Sequence, residues 1–96
     1  MAALDLFGRR WTLRILWELR DDPLGFRALQ TVCDGMSSSV LRDRLAELTE
    51  AGLVARTEDE RYELTPLGSE VGAALGPLGE WADRWAAGLT QRDRRT

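Results

Sequence analysis

Ninety-six residues carry 13 basic and 16 acidic side chains for a net charge of -3, and every base is an arginine; lysine and histidine are absent. One cysteine excludes an internal disulfide framework, and with no histidine beside it there is no soft metal site and no histidine-dependent catalysis. The acid balance argues against a general polyanion binder, because non-specific nucleic-acid affinity comes from neutralising phosphates; the placement of the arginines therefore decides the function.

The length fits a single domain over 1–96 that buries roughly 60–65% of its unfolded surface. With 44% apolar and 30% charged residues it reads as an ordinary soluble domain and not as a disordered tail. Its apolar stretches are only a few residues long and no signal-peptide pattern opens it, so no membrane contact is expected and the expected compartment is the cytoplasm. No cofactor is expected.

The first periodic segment covers 4–20, with Trp11, Ile15, Leu16 and Leu19 at helical spacing and Arg9, Arg10, Arg14 and Glu18 off that stripe. Asp21, Asp22 and Pro23 end it, since proline disfavours a helical residue before it. Gly25 permits a tight turn into a short helix with Phe26, Leu29, Val32 and Cys33 facing inward, and Asp34-Gly35 is the next turn. Ser37 is the preferred N-cap of the clearest helix in the chain. Its stripe is Leu41, Leu45 and Leu48, it ends at Gly52, and its opposite face carries Ser39, Arg42, Asp43, Ala46 and Glu50. Two helices joined by so short a turn predict a helix-turn-helix over about 26–51.

Leu53-Val54-Ala55-Arg56 and Arg61-Tyr62-Glu63-Leu64 read as strands around the tip Thr57-Glu58-Asp59-Glu60; a hairpin over about 53–64 makes the motif winged. Thr65-Pro66 opens the last region, about 66–89. There Val71, Leu75, Leu78, Ala82, Trp85 and Leu89 recur at alternating steps of four and three, a heptad-like seam. Gly72, Gly76, Pro77 and Gly79 interrupt it, which predicts a break near Pro77, a second helix from there to about Gly88, and a frayed, charged tail over 91–96. The expected fold is mainly α with a small β-hairpin: a winged helix-turn-helix followed by C-terminal helices for dimerisation.

The amides and hydroxyls that open the serine-led helix suit phosphates, and Ser38, Ser39, Arg42 and Asp43 could reach base edges in a major groove. Arg42 is the best candidate for a bidentate guanine contact, worth roughly 1–3 kcal/mol of discrimination. The alternative is that Ser37, Ser38 and Ser39 only cap a helix while Arg42 pairs with Asp43 or Glu47. Arg44 lies nearer the buried stripe, to meet a phosphate or to lay its stem over the core. Arg56 and Arg61 flank the hairpin and could clamp a DNA backbone or cross-pair with Glu58 and Glu63, whereas the acids at the tip would be repelled by phosphate. Arg9 and Arg10 are expected to strengthen binding to all sequences alike.

Trp81 and Trp85 lie four apart on one helix. A core this small accommodates one of them, which points to a second chain over this face and leaves room there for a flat aromatic effector. Cys33 reads as a buried structural residue, because a redox switch needs an exposed thiolate near positive charge and Asp34 would raise a thiol pKa. The carboxylate pairs in turns read as solvated loop acids, and no nucleophile–base pair is visible.

In this order the motifs resemble a known family. Gly8-Arg9-Arg10-Trp11-Thr12-Leu13-Arg14-Ile15-Leu16 resembles an opening of glycine, basic residue, tryptophan and Ile-Leu. The run from Ser37 to Leu48, followed by Gly52-Leu53-Val54, resembles a recognition helix and its exit. Tyr62-Glu63-Leu64-Thr65-Pro66-Leu67-Gly68 resembles a Tyr-x-Leu-Thr-x-x-Gly wing closure, and Trp81 falls thirteen residues beyond Gly68. The family is the HxlR-type group of bacterial winged helix-turn-helix regulators, relatives of the MarR group, and the resemblance covers residues 6–86 or so.

That resemblance implies a homodimeric transcription regulator on a palindromic operator in double-stranded DNA, with the recognition helix 37–50 in the major groove. Carried over, Ser37, Ser38, Ser39, Arg42 and Arg44 are the DNA-facing set, and Leu78, Trp81 and Trp85 are dimer contacts. The chain departs from the family pattern at Gly25-Phe26-Arg27-Ala28-Leu29, which lacks a basic residue at the helix start, although Arg27 lies close by. Its wing is short and acidic and lacks a Pro-Pro segment, and Leu4-Asp5-Leu6 stands where redox-sensing members carry a cysteine. The rival expectation is a winged-helix protein-interaction module that leaves DNA alone and offers the Trp81/Trp85 helix to a partner.

Overall fold

The computed structural model describes residues 2–95, with side chains described over 5–89. Where one helix was expected over 4–20 there are two, α1 (Ala2–Phe7) and α2 (Thr12–Glu18). The intervening turn keeps the apolar stripe in phase, which is why periodicity alone reads straight through it. Trp11 stands in the left-handed region at φ 78°, a costly place for a bulky side chain. Hydrogen bonds hold it there: the Arg9 amide donates to the Leu6 carbonyl at 3.2 Å, and the Ile15 amide to the Trp11 carbonyl at 2.9 Å.

The helix-turn-helix consists of α3 (Phe26–Val32) and α4 (Ser38–Glu50). Both end in the same device, a left-handed residue that turns the last amides back onto the final turn. After α3 it is Asp34 at φ 60°, with the Asp34 amide donating to Thr31 and the Gly35 amide to Gln30. After α4 it is Gly52 at φ 77°, with the Gly52 amide donating to Thr49 and the Leu53 amide to Leu48. Ser37 caps α4 by accepting the Val40 amide at 3.4 Å. Leu29 and Cys33 face inward as expected, but Val32 is 37% exposed, because the chain turns away just after it.

The hairpin pairs β1 (Val54–Arg56) with β2 (Tyr62–Leu64), with Val54 opposite Leu64 and Arg56 opposite Tyr62. Leu24 adds a bridge on the other edge of Tyr62, exchanging both backbone bonds with it at 3.0 and 2.8 Å. The chain leaves the hairpin through Thr65. Its hydroxyl donates to the Gly52 carbonyl at 2.6 Å and accepts the Gly68 amide at 3.0 Å, fastening α5 (Pro66–Arg95) to the end of α4. Here α5 approaches so closely that only glycine fits at 68.

The expected break near Pro77 does not occur: α5 is one 30-residue helix containing Pro77, about 45 Å long, and it runs past Gly88 to Arg95. The carbonyl that Pro77 leaves without an amide belongs to Ala73, and both residues are exposed, so water can serve it. Ile15, Leu16, Leu19, Leu29, Cys33, Met36, Leu41, Leu45, Leu48, Leu53 and Val54 form the core. Among the described residues no apolar side chain of α5 is fully buried; Val71 and Leu75 rest half-buried against that core. The radius of gyration, 15.1 Å, exceeds the roughly 12.5 Å of a compact chain of this length because α5 projects from the body.

Candidate nucleic-acid interface

The fully exposed strip of α4 carries Ser39, Asp43, Ala46 and Glu50, with Arg42 along one edge. Arg44, two residues on and therefore about 200° round the helix, lies on the opposite flank with Glu47. The sequence places Arg44 nearer the buried stripe than Arg42, and the structure gives the two arginines different contacts.

Arg42 is exposed, with its guanidinium 5.5 Å from the centre of the Phe26 ring. It pairs with neither Asp43 nor Glu47; among the described residues it has no acid partner. Arg56 lies likewise over Tyr62 at 5.1 Å. Both arginines line one cleft of about 460 Å³ between α4 and the wing, together with Leu45, Ala46, Thr49, Glu50 and Tyr62.

Arg44 is mostly enclosed, its side chain only 17% exposed. It donates through Nε to the Arg10 carbonyl at 3.0 Å and through Nη1 to Glu47 Oε1 at 2.7 Å. The same Glu47 oxygen faces Arg9 Nη1 at 3.6 Å. Arg44, expected either to meet a phosphate or to lay its stem over the core and placed in the DNA-facing set by the resemblance, ties α4 to the turn that joins α1 to α2, a use permitted by its place at the edge of the buried stripe. Arg10, whose guanidinium lies 5.6 Å from the Trp11 ring centre, and Arg9 are exposed beside this tie. Glu47 is the residue that sequence reasoning undervalued; its three-residue spacing from Arg44 was the available signal.

Ser37 spends its hydroxyl on the cap and on Ser39, the two oxygens 2.9 Å apart, whereas Ser38 is exposed on the first turn. Arg27 is exposed on α3. Arg61 is not free, since its Nε donates to Asp59 at 2.8 Å. The wing tip closes on itself: the Thr57 hydroxyl donates to Asp59 and accepts the Arg61 amide, and Glu60 takes the left-handed turn at φ 64°. The Thr57 hydrogen bond, with help from Arg61, lowers the Asp59 carboxyl pKa. The expected cross-pairing of Arg56 or Arg61 with Glu58 and Glu63 is absent among the described residues.

Away from this surface, α5 leaves Leu78, Trp81, Trp85 and Leu89 exposed by 51, 52, 57 and 37%. The two indoles stack, with centroids 6.1 Å apart and planes within 6°. Of the remaining seam residues, Val71 and Leu75 turn toward the protein's own core, and Ala82 lines a groove of about 290 Å³ with Leu13, Trp17, Leu75, Leu78 and Gly79. Cys33 is fully buried, and burial raises its pKa against the opposing pull of Arg14. Arg14 is pinned by Glu18 at 2.9 Å, the Val32 carbonyl at 2.7 Å and Asp34 at 3.3 Å, and the hydrogen bond to Glu18 raises its own pKa.

The chain resembles known proteins in sequence and in fold. The HxlR-like helix-turn-helix family matches residues 6–89. The chain belongs to that family. It is 29% identical over 89 residues to the HTH-type transcriptional regulator YvaP of Bacillus subtilis, covering 86% of this chain and 82% of that protein. Quinone-bound YodB from B. subtilis superposes with a TM-score of 0.78 at 31% identity, over 86% of this chain and 93% of that one. A "possible HxlR family transcriptional factor" from Thermoplasma volcanium gives 0.81 at 28% identity, over 88% and 82%. The HxlR relatives are transcriptional regulators and not enzymes, and they do not favour the rival reading of a protein-interaction module. No helix among the described residues is long and apolar enough to cross a membrane.

Proposed function

We propose that the protein is a homodimeric, sequence-specific regulator that lays α4 in the major groove of a palindromic operator. The observation that carries this reading is the form of α4: a serine-capped helix whose exposed strip is flanked by Arg42 and Arg56 on one side and by Arg9 and Arg10 on the other. In this reading Arg42 takes a guanine edge and Asp43 can accept from a cytosine amine. Ser38, Ser39 and the amides that Ser37 leaves open meet phosphate, as do Arg9, Arg10, Arg27 and Arg56. Arg44 acts by holding α4 in place, and the self-closed acidic tip with Arg61 stands clear of the duplex.

Dimerisation falls to Leu78, Trp81, Trp85 and Leu89 on the projecting half of α5, where large apolar side chains otherwise stand in water. Val71, Leu75 and Ala82 support that face from behind. The groove between α2 and α5, with Trp17 in its wall, suits a flat aromatic effector; the related YodB structure holds a quinone. A regulator of this kind works without catalysis, and in the cytoplasm.

Selection from random duplexes at low salt tests the reading. The expected result is an enriched palindrome with half-sites about one DNA turn, roughly 34–36 Å, apart. No enrichment would sink operator binding, and a monomer in sedimentation at micromolar concentration would sink the dimer.

A further inference from the structure

Arginine–ring pairs set Arg42 and Arg56 apart from the arginines that a carboxylate holds. Arg14, Arg44 and Arg61 each donate to a carboxylate at 2.9 Å or less, and those bonds occupy the edges of their guanidinium forks. Arg42 and Arg56 have no carboxylate partner among the described residues and lie instead over Phe26 and Tyr62. Glu50 lines their common cleft but forms an ion pair with neither. A ring beside a guanidinium limits its rotamers and leaves its N–H donors free, whereas an acid would consume them.

Resting on the DNA-binding reading above, we propose that Phe26 and Tyr62 are positioning residues that hold Arg42 and Arg56 ready for the duplex. Phe26 fixes the arginine that reads a base, so it contributes to sequence preference without touching DNA. Tyr62 fixes an arginine that meets phosphate, so it contributes to affinity on every sequence. Two features place them well. Phe26 opens α3 and Tyr62 is paired on both edges, with β1 and with Leu24, and both rings pack half-buried against the core, which limits their movement relative to the exposed arginines. Arg20 provides the contrast. It lies 3.7 Å over Trp17 but also donates to the Trp17 carbonyl and faces Asp21 at 3.7 Å, and so is committed within the protein.

The test has two arms. In the free protein, NMR should show ring-current shifts on the side-chain protons of Arg42 and Arg56. These should disappear in Phe26→Leu and Tyr62→Leu and persist in Phe26→Tyr and Tyr62→Phe. On selected duplexes, Phe26→Leu should reduce discrimination at the Arg42 base pair about two- to five-fold, the range of an exposed cation–π contact, and Phe26→Tyr should restore it. The same change made in an Arg42→Ala background should have no further effect on base preference. Tyr62→Leu should weaken all duplexes alike and leave the salt slope unchanged, whereas Arg56→Ala should lower the slope by about one. Equal losses from Phe26→Leu with and without Arg42 would overturn the proposal, and so would unshifted Arg42 protons in the wild type. Both rings are half-buried, so if Phe26→Leu unfolds, the wild-type shifts and the milder Phe26→Met decide. Shifted arginines in a protein that selects no duplex would instead bring down the DNA-binding reading, and this inference with it.

Discussion

Gly68→Ala should cost the protein about 2–3 kcal/mol, although alanine is the better helix former. A Cβ at this position would stand 2.0 Å from the carbonyl oxygen of Leu53 and 3.0 Å from its carbon. Both atoms are backbone, so no rotamer relieves the overlap, and the first turn of α5 must retreat by roughly 1 Å or more to restore contact distance. Three hydrogen bonds depend on the present spacing. The Thr65 amide donates to Leu53 at 3.0 Å, the Thr65 hydroxyl to Gly52 at 2.6 Å, and the Gly68 amide to that hydroxyl at 3.0 Å. At about 1 kcal/mol each, with residual overlap added and about 1 kcal/mol of helix propensity regained, a net loss of about 2–3 kcal/mol remains. In a domain of this size that lowers Tm by about 10–20 °C. The assay is thermal melting by circular dichroism at one fixed protein concentration, because association moves Tm with concentration. Gly76→Ala is the internal control, since a Cβ there meets nothing within 4 Å and should raise stability by about 0.5–1 kcal/mol. A Tm for Gly68→Ala at or above wild type would refute the close-approach argument.

Arg44→Ala removes the tie to Arg10 and leaves Glu47, one of whose oxygens is already buried without a partner, short of a donor. It should destabilise the fold by about 1–2 kcal/mol in urea titration while leaving base preference in competition binding unchanged. Trp85→Arg places a charge on the exposed face of α5 and should weaken self-association by about tenfold or more in sedimentation equilibrium, the scale of an interface hot spot. Because burial raises the Cys33 pKa in the folded state, the native thiol holds its proton longer than the unfolded one. Stability is therefore complete below the unfolded thiol range, about pH 8.5, and declines as pH rises through it. Chemical denaturation at neutral and alkaline pH should show that decline, and Cys33→Val should remove it.

Helix existence was legible wherever an apolar stripe and a cap coincide. Leu41, Leu45 and Leu48 behind Ser37 mark α4, and Thr65-Pro66 marks the start of α5. The misreadings have physical causes. The α1–α2 turn hides because Trp11 keeps the stripe in phase while its backbone turns left-handed, a conformation that no propensity assigns to tryptophan. Pro77 fails to break α5 because only an exposed carbonyl is orphaned, and a helix on the surface tolerates that. At the candidate interface the outward face of α4 was readable from period alone. Phase also put Arg44 nearer the buried stripe than Arg42, but its partner, the Arg10 carbonyl 34 residues away, was not legible because it depends on the turn that folds against α4. Phe26 reads as a core residue in sequence, and only its position over Arg42 suggests a second role.

The net charge of -3 does not describe the surface that a duplex would meet. Several acids are spent internally: Glu18 and Asp34 hold Arg14, Glu47 holds Arg44, and Asp59 holds Arg61. The pair between Arg9 and Glu47, at 3.6 Å with the arginine more than half exposed, is the kind that contributes little by itself and that a phosphate can replace. Among the described residues Arg9, Arg10, Arg42 and Arg56 stand on the flanks of α4, with Arg27 on α3 and Arg84 on α5 also exposed, whereas Asp43 and Glu50 occupy the strip between the flanks and Glu58 and Glu60 the wing tip. A duplex offered in the wrong register or orientation brings phosphates onto those acids and is repelled; one seated with α4 along the groove brings phosphates to the flanks. Under the proposed function the acids would thus act against misplaced binding, and the arginines would favour the seated geometry. Under that function, the few free cations among the described residues near α4 would leave one half-site weakly bound, so two half-sites engaged together would supply the affinity and the exposed tryptophan face of α5 would serve recognition as well as assembly.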